Sequence, residues 1–93
     1  MENLTDLAYN LYQAKARGLV VMVWALDIHT IYIRFKDETH PSVKMALMRY
    51  IESTYDTATS FQEGFLYIQG DRLGFAYQST VGWNGVVNGE GEG

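Results

Sequence analysis

Apolar positions crowd most densely between Gly18 and Lys36, GLVVMVWALDIHTIYIRFK. This segment, rich in β-branched and aromatic residues, predicts two strands joined by a short turn. In its second half Ile31, Ile33 and Phe35 alternate with Tyr32, Arg34 and Lys36. One face of that strand is apolar and the other can meet water. The first half behaves differently. Val20, Met22 and Trp24 on one face are matched by Leu19, Val21, Val23 and Ala25 on the other, so neither face is polar. Such a strand is expected to be covered on both sides, by the chain itself or by a partner.

Upstream, Leu4, Leu7, Leu11 and Ala14 recur at helical spacing, with Ala8 and Tyr12 beside them, and predict a helix over 4–17. Asn3 or Thr5 can cap its start, and Gly18 ends it. After the central hairpin, Pro41 is placed to open a second helix over 41–54, with Val43, Leu47, Tyr50, Ile51 and Thr54 as its apolar face. His40, directly before that proline, is a linker or cap residue. Two further runs between Phe61 and Ser79 flank Gly70-Asp71, a pair suited to a two-residue hairpin turn. That turn would set Ile68 against Leu73, Leu66 against Phe75, Tyr67 against Gly74 and Phe65 against Ala76. Asn84-Gly85 marks another turn and leaves room for a short extra strand. From Asn88 onward, Gly and Glu dominate and cannot build a core, so a mobile tail is expected.

The expectation is therefore an α+β fold in the order α-β-β-α-β-β, one antiparallel sheet packed by two helices, as a single domain over 1–87 with a tail over 88–93. Ninety-three residues supply one core and no more. No residue-level repeat links the two helix-strand-strand halves.

Composition narrows the function more than it identifies it. With no cysteine, the chain can form no disulfide and no thiolate metal site, which suits a reducing compartment, and cytoplasmic placement is the default. The first residues lack the basic and apolar regions of a secretory leader, and the apolar run Leu19–Leu26 is too short to span a bilayer. No membrane role is expected. Arg34, Lys36 and Arg72, interleaved with Tyr32, invite stacking of single-stranded nucleic acid, but a net charge of −4 opposes it. An acidic chain suits a basic protein surface instead.

Catalytic chemistry has little support. There is no Cys nucleophile, no G-x-S-x-G and no serine on a strand-to-helix elbow, while the adjacent Asp37-Glu38 reads as a solvated connection. The glycines and glutamates of GEGEG form no phosphate loop. Asp27 and His29, with His40 and Asp37 or Glu38 as further candidates, are the one combination with metal-ligand chemistry; the same DIHT segment is more simply a hairpin turn. No cofactor is expected.

What remains is surplus aromatic surface. Two helices cover one face of a four-stranded sheet, leaving Met22, Trp24, Phe65, Tyr67 and Trp83 for the other. The C-terminal segment can fold back over them, the helices can divide between the faces, or another molecule can cover them. The leading expectation is a small acidic binding protein, not an enzyme, that occupies the surface of a larger protein. Trp24, Tyr67 and Trp83 would be its anchors, and Glu63, Asp71, Glu90 and Glu92 its acidic rim. A phage or mobile-element inhibitor of a host nucleic-acid-processing or defence enzyme fits this type. The alternatives are a homodimeric or larger homo-oligomeric structural or small-ligand-binding protein, and a small metal-dependent enzyme centred on Asp27 and His29.

Overall fold

The computed structural model describes residues 3–81. Its elements are α1 (Leu4–Ala16), β1 (Val20–Ala25), β2 (Thr30–Phe35), α2 (Pro41–Thr54), β3 (Ala58–Gln62), β4 (Phe65–Gln69) and α3 (Leu73–Val81). The α+β class and the order α-β-β-α-β-β hold, and α3 follows as a third helix. The strands form one antiparallel sheet in the order β1-β2-β4-β3. The predicted extra strand and the tail over 88–93 lie outside the described residues.

Local chemistry sets the first two helices. The Asn3 side chain accepts the Thr5 N–H at 2.6 Å, capping α1. At the other end Gly18 adopts φ 78°, the left-handed conformation that glycine takes without a steric cost. At α2 the His40 Nδ1 accepts the Ser42 N–H at 3.0 Å, and Pro41 occupies the first turn, where its missing N–H costs nothing.

All three helices lie on one side of the sheet. Leu7, Ala8 and Leu11 of α1, Ile51 of α2, Tyr55 beyond it, and Leu73 and Tyr77 of α3 form one core with Val20, Val23, Ile31, Ile33, Phe35, Leu66 and Ile68. The possibility that the helices divide between the faces is thereby corrected. Helix α2 contributes less than its pattern promised, since Ile51 is its one buried residue while Val43 and Tyr50 are exposed. The Tyr77 hydroxyl lies 3.5 Å from the Val23 carbonyl oxygen, and burial, with Tyr12 nearby, pushes its pKa up to about 12.

The second hairpin differs from the prediction. Its turn is Glu63-Gly64, both with positive φ (51° and 88°), as a tight two-residue hairpin turn demands. Strand β4 lies between β3 and β2 and pairs antiparallel with both: Tyr67 faces Ser60 and Tyr32, and Phe65 faces Gln62 and Arg34. The pairing of Ile68 with Leu73 and Leu66 with Phe75 does not form, because residues 73–81 are helical. Leu73, Ala76, Tyr77 and Thr80 follow the spacing of a helix face. Its start is capped by the β1–β2 loop. The His29 Nδ1 accepts the Arg72 N–H at 3.1 Å, and the Ile28 carbonyl accepts the Phe75 N–H at 3.0 Å.

Candidate functional site

With every helix on one side, the other sheet face carries no described element above it. A β-bulge decides what that face contains. Val20 pairs with Phe35 and Met22 with Arg34, so Val21 is the extra residue of β1. The bulge breaks the simple alternation, sending Val20 and Val23 to the core while Met22 and Trp24 point to the open face. Val20 was expected beside Met22 and Trp24, and that grouping is corrected.

The open face then forms rows across the strands. Trp24, Tyr32, Tyr67 and Ser60 make one row; Met22, Arg34, Phe65 and Gln62 make the next. The rings of Tyr32 and Tyr67 stack at 5.5 Å with 13° between planes, and Tyr32 meets Phe65 edge-on at 5.2 Å. These contacts orient the rings against one another, and each contributes about 0.5–1.5 kcal/mol beyond its area. Arg34 supplies the one charge in the two rows, and its Nη2 is 3.6 Å from the Asp37 carboxylate in an exposed pair.

Of the sequence-predicted anchors, Trp24 and Tyr67 fall in one row, bridged by Tyr32. Trp83, Glu90 and Glu92 lie outside the described residues. The two acidic residues Glu63 and Asp71 do not form a common rim. Glu63 is in the β3–β4 turn and Asp71 follows the opposite end of β4. Tyr32, Phe65, Met22 and Arg34 belong to the face but were not among the predicted anchors. The signal for Tyr32 was its place on the non-core side of β2, opposite Ile31 and Ile33.

Asp27 and His29 share the β1–β2 loop and hold it to α3. The Asp27 Oδ1 accepts the His29 N–H at 2.8 Å, and this bond, with a hydrogen bond from the Thr30 side chain, keeps the Asp27 pKa below the ordinary aspartate value despite some desolvation. The His29 ring in turn caps α3. Among the described residues no group of three or more His, Cys, Asp or Glu side chains gathers where it could hold a metal ion. No described helix is long and apolar enough to cross a membrane. His40, the other histidine, is engaged at the start of α2.

Several hollows flank these elements, among them one of about 450 Å³ between the starts of α1 and α3 and two others. Of those two, one of about 310 Å³ opens on the sheet face beside Tyr67. The other, about 370 Å³, lies between the end of α1 and α2 and is lined by Leu19, Val20, Phe35, Val43 and Leu47 among others. No protein-family model, no curated protein and no solved structure matches the chain.

Proposed function

We propose that the protein is a small binding module that takes a partner protein on the open face of its sheet. One observation carries this reading. The face's two central rows hold Trp24, Tyr32, Tyr67, Met22, Phe65 and Arg34, with Ser60 and Gln62 at the β3 edge. Aromatic residues, Met and Arg are the types enriched in the cores of protein interfaces, where other charges are scarce. A single arginine gives too little phosphate neutralisation to favour nucleic acid on this face. The net charge of −4 supports a partner with a basic surface, since long-range attraction would speed the encounter. Blocking a larger nucleic-acid-processing enzyme is the form of binding that this charge favours.

The test is capture of a stoichiometric partner by tagged protein, followed by its affinity for Trp24→Ala and Tyr32→Ala. Each substitution is expected to weaken binding by about 2 kcal/mol or more, the loss typical of an interface anchor. Unchanged affinity in folded variants would remove the face from the account. Native mass of the purified protein separates a foreign partner from a second copy.

A further inference from the structure

We propose that the hollow beside Tyr67 is an anchor pocket for an arginine side chain of the partner protein. The inference rests on the reading of the sheet face as protein-binding and names the chemistry recognised at one point on it. The hollow continues the aromatic row towards the β1–β2 loop. Thr30, Gln69 and Ala58 form the next row across β2, β4 and β3, and all three line it, with Tyr67 and Ser60 on one side and Asp27 on the other. Its volume, about 310 Å³, lies at the small end of ligand pockets, fitting one side chain better than a cofactor.

The lining selects a cation. Asp27 is its one charged residue. That carboxylate is held in place by the His29 N–H and by Thr30, and the Thr30 hydroxyl also accepts from Gln69 Nε2 at 3.5 Å. These donors favour the ionised form, so Asp27 brings a negative charge to the lining of the hollow at neutral pH. Tyr67, whose ring is oriented by stacking on Tyr32, also lines the hollow. A guanidinium can lie against an aromatic face while its N–H groups reach a carboxylate, a pairing that the compact ammonium of lysine reproduces less well. The acidic chain as a whole adds the same sign of attraction.

The experiment titrates N-acetyl-arginine amide into the labelled full chain and follows backbone amide shifts, with N-acetyl-citrulline amide as the neutral isostere. The arginine probe is expected to give saturable shifts at Asp27, Thr30, Ser60, Tyr67 and Gln69, with affinity on the order of millimolar for so small a ligand. Citrulline should bind about fivefold more weakly or worse, the factor that one carboxylate–cation contact gives even in high dielectric. Asp27→Asn should reduce the arginine response to the citrulline level. Equal responses to the two probes, or shifts centred elsewhere, would overturn the pocket. Trp24 and Tyr32 do not line it, so the two readings fail separately. A flat titration beside a partner that still depends on Trp24 removes the pocket and leaves the face. Arginine binding beside capture that ignores Trp24 removes the face and leaves a site for free guanidinium ligands.

Discussion

At the residue scale, Asp27 concentrates several roles in one exposed side chain. Its carboxylate accepts the His29 N–H, which fixes the loop whose Ile28 carbonyl and His29 ring cap α3. Because that hydrogen bond lowers the pKa of the folded state, the unfolded chain binds more protons as the solution is acidified. The associated stability is therefore complete above the unfolded aspartate pKa and is lost as pH falls through the lower, folded one. Asp27→Asn keeps an oxygen that can accept the same N–H but cannot titrate. Urea unfolding of both proteins from about pH 6 down to about pH 2.5 is expected to show a gap that narrows as the pH falls, because only the wild-type residue titrates. Parallel pH profiles would mean that the carboxylate's bonds do not persist in solution.

At the scale of the element, α3 shows how tertiary contacts can override a local pattern. Leu73-Gly74-Phe75-Ala76-Tyr77 reads equally as an alternating strand and as the start of a helix. The caps that decide the matter come from His29 and Ile28, more than 40 residues away in sequence. Gly74 is the point of closest approach: a Cβ there would overlap the Asp27 carbonyl oxygen. In an isolated helix Gly→Ala gains about 1 kcal/mol. Here Gly74→Ala must displace the loop or the helix, and a net loss of about 1–3 kcal/mol in chemical unfolding is expected, as for other overpacked sites. A stabilised variant would show that the loop yields easily. By contrast, α1 and α2 were legible because their signals are local: Asn3 and Gly18 bracket the first, and His40 and Pro41 begin the second. The β3–β4 hairpin was not legible. Gly70-Asp71 is the better-known kind of turn pair, whereas Glu63-Gly64 places a non-glycine residue at positive φ.

Across the whole molecule, one sheet separates a helix-covered face from an open one, and the sequence disclosed that division only in part. Trp24 and Tyr67 could be assigned to a spare face, but Tyr32 between them was expected to meet water, and Phe65 was expected to pair with Ala76. The bulge at Val21 and the β2–β4 pairing, neither of which has a local signal, put these side chains together. If the open face is for binding, its side chains should contribute little to the fold. Trp24 and Tyr32 are half-buried, and their contacts run across strands already fixed from the other side by Ile31, Ile33, Leu66 and Ile68, each 0% exposed. Replacing Trp24 with alanine is expected to cost about 1 kcal/mol at most, the scale of a cross-strand pair. Ile33→Ala, which opens a cavity in the core, should cost about 2–5 kcal/mol. Urea midpoints measured at equal slope give both numbers. A Trp24→Ala loss as large as that of Ile33→Ala would make the aromatic face a second core, with its stability rather than its binding as the reason for those residues. A small loss beside weakened capture would place Trp24 where the proposal needs it, available to a partner without holding up the sheet.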